Sequence, residues 1–385
     1  VPLRLCFFLL AFLGLSLAQN DLILRVLLNE SPQAQIAVGS HRRITGYGES
    51  DAPASTLNLR AEGNEILLGG ENVGPWLELS GEGFAMNGRS YRGNFLGIAQ
   101  NGKLLLINRV YLEDYLLGVV PSEIPGNFPP AVMQAQAILA RTFAIFKLNP
   151  SGFYDICADE RCQVYQGRGV ETSAHSGAVY ATRGLIVSYD NRPITAVYHA
   201  DSGGHTANSE EVWGKAVPYL VAQPDPYSQS PKGTWNQTLS PAAVARSLGN
   251  MGMSVGTVQS IETLFYTSSG RPARLRIVGS GKSLTLSATE TTKLLRALGL
   301  PSTRVQLSGW QVTGQGMGHG VGMSQWGAKG FAAQGWDYRQ ILGYYYPGTF
   351  LAGFDVITGI QDQLIALGYR RGVLAAFGFG MDVSK

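Results

Sequence analysis

The chain is short of cysteine and of charge, and each shortage excludes something. Only three cysteines occur in 385 residues, and Cys6 lies inside an N-terminal apolar run, so a small disulfide-stapled scaffold is ruled out. Asp, Glu, Lys and Arg make up 15% of the residues with a net charge of +3, and no Lys/Arg cluster is interleaved with aromatics. That excludes a nucleic-acid groove, while the mild positive balance suits anionic wall polymers. There is no HExxH, no GxSxG and no glycine loop ending in Gly-Lys-Ser/Thr, so the zincin, serine-hydrolase and P-loop patterns are missing too. The apolar run from Leu5 to Leu17 is shorter than the about 20 residues a bilayer span needs.

With Arg4 before it and Ser16-Leu17-Ala18 after it, that run reads as a secretory signal peptide, residues 1–18, cut before Gln19. Cys6 would leave with it, so the reading gives an exported chain, periplasmic or cell-wall associated, with no stable membrane anchor. Glycine, by contrast, is abundant at 49 residues. It predicts a surface rich in loops, neutral side chains and backbone polar groups, which suits carbohydrate.

From Asp21 to Val110 short apolar alternations (LILRVLL, QIAVG, EILLGGENVG, AMNGRSYRG, KLLLINRVYL) are separated by turn residues, and Asn87-Gly88 and Asn101-Gly102 are hairpin signals. Residues 19–104 therefore read as a β-rich subdomain. Pro129-Pro130 can open a helix, with Asn127 as a cap, and Val132, Leu139, Phe143 and Phe146 form a stripe of helical period up to about Lys147. Strand-like GLIVSY and ITAVYHA follow, then the Pro-rich loop QPDPYSQSPKGT, then mixed helix and strand, and last a Gly-rich turn feeding a helical pair. The fold class is α+β, with a mixed core over residues 105–351 and a C-terminal extension, 352–385, without a visible role.

Few residues stand out chemically. Glu123, in Pro121-Ser-Glu-Ile-Pro125, is a lone carboxyl among Val119, Val120, Ile124 and Phe128. Desolvation there would raise its pKa, as a general acid at neutral pH requires, whereas an exposed turn carboxylate would need no such explanation. Arg141 follows an Ala-Ile-Leu-Ala run and needs a partner, either a carboxylate or a ligand. His319 sits in Gly316-Met-Gly-His-Gly-Val-Gly322, where glycines let the backbone approach a ligand or a neighbouring chain closely. Cys157 and Cys162 read as a local disulfide, or as half of a zinc site with His175, His199 or Asp155 to complete it. Ser202, close in sequence to His199 and His205, reads as a strand-end turn rather than a nucleophile.

Taken in order, YLLGVVPSEIPGNFPPAVMQAQAILARTFA, CQVYQG, ATRGLIVSY, AVYHADSGGHTA and GHGVGMSQWGAKG with YYYPGTFL resemble the SpoIID/LytB family of stage II sporulation protein D and amidase enhancers. The resemblance spans roughly Leu105 to Leu351 and implies a core with a substrate groove. It also implies a lytic transglycosylase of peptidoglycan with Glu123 as catalytic acid and base. Arg141, His319, Gln325, Ser202 and Gly203 would line the groove, with Lys232 from the SPKGTW loop.

Some relatives bind zinc through a His just before the second cysteine. Arg161 stands at that place here, so the expectation is no cofactor. The expected partners are peptidoglycan glycan strands and a cell-wall amidase, not nucleic acid. Two rival readings follow: a non-catalytic wall-binding enhancer of an amidase, and a hydrolase using Asp201, Glu210 or Glu211 as a second carboxylate.

Overall fold

A computed structural model describes residues 22–354; the expected signal peptide and most of the C-terminal extension lie outside them. Within them the fold is α+β. The N-terminal part is two sheets face to face. One runs, in spatial order, Ile156–Cys157, Ile23–Ser31, Lys103–Tyr111, Asn94–Gln100, Trp76–Ser80, His41–Thr45 and Gly48–Ala52. The other runs Arg89–Tyr91, Phe84–Met86, Gln33–Val38, Ser55–Glu62, Glu65–Leu68 and Glu71–Asn72. Both Asn-Gly pairs close two-residue hairpins, Met86 pairing with Arg89 and Gln100 with Lys103, and both asparagines have positive φ, 52° and 51°. Left-handed backbone at both central residues matches the right-handed twist of the flanking strands.

The boundary expected at residue 104 is not a break in packing. Leu24, Leu77, Phe95 and Leu106 from the sheets share one apolar core with Leu116, Val120, Val132 and Ile138 from the helices that follow. Strand Ile156–Cys157 also returns to pair in parallel with Val26 and Leu27. The helical layer is α1 (Leu112–Glu123), α2 (Pro130–Phe146) and α3 (Ser173–Ala181). Pro129, not Asn127, caps α2, with Pro130 in the first turn, where a missing N–H costs nothing. The apolar stripe expected on α2 understates its burial: most of its residues are buried all round, while Phe146, assigned to the stripe, is exposed.

After the short helix α4 (Ser209–Trp213) the chain leaves this core and builds another. Strands Thr234–Thr238 and Gln311–Gln315 pair side by side, so the segment between them enters and exits at one place. It contains α5 (Pro241–Asn250), α6 (Ala288–Ala297) and the sheet Val258–Tyr266, Pro272–Gly279, Ser283–Thr285. Its apolar centre, including Val244, Leu248, Leu275, Ile277, Leu294 and Val312, is separate from the main core. The single unit expected over 105–351 is thus a core interrupted by an inserted one. The chain returns through α7 (Gln325–Ala333) and α8 (Tyr338–Tyr345) to strand Phe350–Gly353, which joins Leu185–Tyr189. Among the described residues no helix is long and apolar enough to cross a membrane.

Candidate active site

Glu123 is the last residue of α1. Pro121 lies in the final turn of this helix, beside Ser122, whose Oγ donates to Gly118 O at 2.8 Å. Val119, Val120, Ile124 and Phe128 are all buried, as the sequence implied, and the carboxyl lies half-buried beside them. Burial pushes its pKa up. Two donors oppose that rise by favouring the carboxylate: the Val164 N–H at 3.3 Å and the Tyr198 hydroxyl.

The donors are held from behind. Tyr115 OH donates to Gln163 Oε1 at 3.2 Å, and Gln163 Nε2 donates to Tyr198 OH at 3.3 Å, which leaves the Tyr198 proton for Glu123. Burial holds Tyr198 and Tyr115 well above the usual phenol range, so both remain donors. Segment 163–167 reaches α1 because position 118 has no side chain. A Cβ there would lie 2.7 Å from a Tyr165 ring carbon and 2.9 Å from Gly167 O. Gly118→Ala gains helix propensity of up to about 1 kcal/mol but meets a backbone oxygen that cannot yield alone. We expect a net loss of about 1–3 kcal/mol in urea unfolding, with weakened catalysis as the Val164 donor is displaced.

Just before this segment, Cys157 and Cys162 are joined as a disulfide. Arg161, which precedes the second cysteine, pairs with Asp159 at 2.7 Å. Among the described residues no group of three or more His, Cys, Asp or Glu side chains is arranged to hold a metal. The residues of this stretch do not form a zinc donor set.

Tyr198 and His199 pair in parallel with Met323 and Ser324. The chain approaches so closely here that a Cβ at Gly322 would lie 2.1 Å from Val197 O, and one at Gly318 2.8 Å from His199 Cβ. Both glycines have positive φ. This places His319 next to Tyr198, where its two ring nitrogens are spoken for: Val321 N–H donates to Nδ1 at 3.1 Å, so Nε2 carries the proton given to Tyr198 O at 2.9 Å. Burial lowers its pKa to about 4. The ring is neutral and fixed, which suits holding Tyr198 rather than touching substrate through a nitrogen. Gln325 opens α7 and donates from Nε2 to Gln136 Oε1 at 3.3 Å.

Of the other residues expected in the groove, Arg141, Ser202 and Gly203 have partners within the protein and Lys232 is exposed. Arg141 is fully buried, paired in bidentate fashion with Glu113 at 2.8 Å, and donates to Leu185 O and Val179 O. Ser202 is buried with its hydroxyl on Asp225 at 2.8 Å, and Tyr345 OH donates to the other oxygen of that carboxyl at 2.9 Å. Gly203, at φ 73°, gives its N–H to Asp201. Lys232 is exposed on a turn whose Ser230 N–H donates to Asp201.

Two of the three carboxylates weighed as a second catalytic group, Asp201 and Glu211, have structural partners. Asp201 accepts from Ser228 Oγ, Gly203 N and Ser230 N, and Glu211 accepts from Asn208 and Ser269. Glu210 is exposed. Arg271 and Arg304 reach from the inserted unit to the carbonyls of Ser202, His205 and Gly203, tying that unit to the Ser202 loop.

Sequence reasoning singled out Glu123 but not Tyr198, Gln163 and Tyr115, the groups linked to it by hydrogen bonds. CQVYQG and AVYHA were visible as motifs, yet a tyrosine in a strand-like apolar run reads as core.

Comparison with known proteins agrees with this division of the chain. The family described as stage II sporulation protein matches residues 100–189, and one described as a domain of unknown function, DUF8618, matches residues 233–322, around the inserted unit. The chain is 32% identical over 278 residues to an uncharacterized protein of Brachyspira hyodysenteriae, covering 71% of this chain and 75% of that one. It is 30% identical over 274 residues to stage II sporulation protein D of Bacillus subtilis, covering 65% and 76%. A 29% identity over 351 residues links it to the amidase enhancer of Bacillus subtilis, covering 77% of this chain and 48% of that protein.

Proposed function

Because the chain belongs to the stage II sporulation protein D family, whose members place it in a cell-wall role, we propose that it is an exported peptidoglycan lytic transglycosylase with Glu123 as acid and base. The observation that carries the reading is the solitary, desolvated Glu123 carboxyl, with one backbone and one phenolic donor aimed at it. In its protonated form, which burial favours, it gives its proton to the glycosidic oxygen between N-acetylmuramic acid and N-acetylglucosamine. The Val164 N–H and the Tyr198 hydroxyl then stabilise the carboxylate left behind. That carboxylate takes the proton of the muramic 6-hydroxyl as its oxygen attacks C1, closing a 1,6-anhydro ring and restoring the acid.

No water enters and no second carboxyl is required, unlike in most glycosidases. No step calls on a metal, so chelation is expected to leave the rate unchanged. The test is mass spectrometry of soluble products from peptide-free glycan strands. Anhydro-muramic ends support the reading, while reducing ends mean hydrolysis.

A second reading is favoured by the similarity to an amidase enhancer: a wall-binding protein that stimulates a separate amidase. It predicts no glycan fragments from this chain alone, and faster peptide release when an amidase is added.

A further inference from the structure

We propose that Trp213 forms the floor of a sugar-ring subsite linked to the Glu123 carboxyl through His319 and Tyr198, where a pyranose of the glycan strand stacks on the indole face. The inference rests on the transglycosylase reading for the identity of the ligand, and on geometry for its place.

Trp213 ends α4, and its side chain is 40% exposed although Val212 before it is buried at 4%. Gly214, left-handed at φ 76°, turns the chain away, and a Cβ there would lie 3.1 Å from Thr289 Oγ1 of the inserted unit. The indole therefore stands at the seam between the main core and the inserted one. Its ring centroid is 5.3 Å from that of His319, tilted by 50°. His319 in turn donates to Tyr198 O, and the Tyr198 hydroxyl reaches Glu123. The exposed indole is thus connected to the candidate acid through the His319 ring and the whole length of Tyr198, from its backbone carbonyl to its hydroxyl.

This gives His319 a purpose that its locked nitrogens otherwise lack. A neutral ring with both nitrogens bound to backbone neither shuttles a proton nor hydrogen-bonds a ligand. It is a rigid wedge, a positioning residue that fixes the indole on one side and the Tyr198 backbone on the other.

The chemistry of the occupant follows from the surface. An exposed indole offers a large apolar area with a negative face, which the weakly positive C–H face of a pyranose complements. Helix α4 presents this ring flanked by Glu210, Gly214 and Lys215, all exposed. Such a spot suits one sugar ring, whereas a protein partner would require a wider apolar patch.

The experiment separates binding from cleavage by working in the inactive Glu123→Gln background. Intrinsic fluorescence is titrated with a peptide-free tetrasaccharide of alternating N-acetylglucosamine and N-acetylmuramic acid. The expected results are an emission change that disappears in Trp213→Phe, an affinity within about threefold of the parent for that variant, and about a tenfold loss for Trp213→Ala, which corresponds to about 1.4 kcal/mol.

Undiminished affinity in a folded Trp213→Ala protein overturns the proposal, as does an emission change that survives in Trp213→Phe or a parent that binds no glycan. Should Trp213→Ala fail to fold, the milder Trp213→Phe decides by its emission. Failure of the cleavage reading looks different: Trp213-dependent binding persists while the Glu123-intact chain releases no anhydro ends.

Discussion

Glu123→Gln is expected to reduce release of anhydro-ended fragments by about a thousandfold, within the range that positioned acid–base groups contribute. Glutamine keeps the size and accepts hydrogen bonds from Val164 N–H and Tyr198 OH, but it has no proton to give the leaving oxygen. The melting temperature should hold or rise slightly, because a buried ionisable group is replaced by a neutral amide. Time-resolved chromatography of products, alongside thermal melts, checks both halves. Near-normal fragment release from a folded Glu123→Gln protein would remove Glu123 from the mechanism.

Acid catalysis by a group with a raised pKa also fixes the direction of the pH profile. Activity should fall as pH climbs through the Glu123 pKa, because the proton to be donated is lost. Tyr198→Phe removes a donor that favours the carboxylate, so it should move this alkaline limb to higher pH. The maximal rate should also drop, since the carboxylate formed on proton transfer loses one of its two supports. A profile of kcat against pH for the two proteins tests the sign, and a limb that shifts downward contradicts the arrangement described.

How much of this was readable beforehand depended on whether the signal was local. The hairpins at Asn87-Gly88 and Asn101-Gly102 came directly from backbone sterics, and both are present. Glu123 was legible because a carboxyl among apolar residues is locally anomalous. Its helix was not, because Pro121 suppresses the helical pattern that the chain in fact tolerates in the last turn.

Tyr198, Gln163 and Tyr115 come together only through long-range packing, over separations of 35 to 48 residues. No spacing rule points to them. The inserted core escaped for a similar reason: its composition matches its surroundings, and the pairing of Thr234–Thr238 with Gln311–Gln315 that closes it spans the whole unit. The Pro-rich loop before Thr234 was the one local hint.

Arg141 and His319 were singled out from the sequence as groove residues, and in this geometry both have partners within the protein. Functional groups and structural ones share the same requirement to be partnered when buried. Only the partner tells them apart. For Arg141 the partner is Glu113, and for His319 it is backbone on both sides.

Arg141→Ala is accordingly expected to act on stability, with a loss of about 3–5 kcal/mol, the usual cost of stranding one member of a buried ion pair. Glu113 would be left beside the Gly184 N–H alone, and the carbonyls of Leu185 and Val179 would lose their donor. Arg141→Lys should recover only part of the loss, since an ammonium cannot make both parallel bonds that the guanidinium makes to the carboxylate. Removing both charges, as Arg141→Leu with Glu113→Leu, should destabilise less than Arg141→Ala, because no buried charge remains without its counterpart. Urea unfolding of the three proteins measures this, and KM for glycan in whatever fraction folds provides the second readout. A stable Arg141→Ala protein with a KM raised tenfold would return Arg141 to the groove; an unstable one whose folded fraction keeps its KM places it beneath the groove, holding α1 and therefore Glu123 in position.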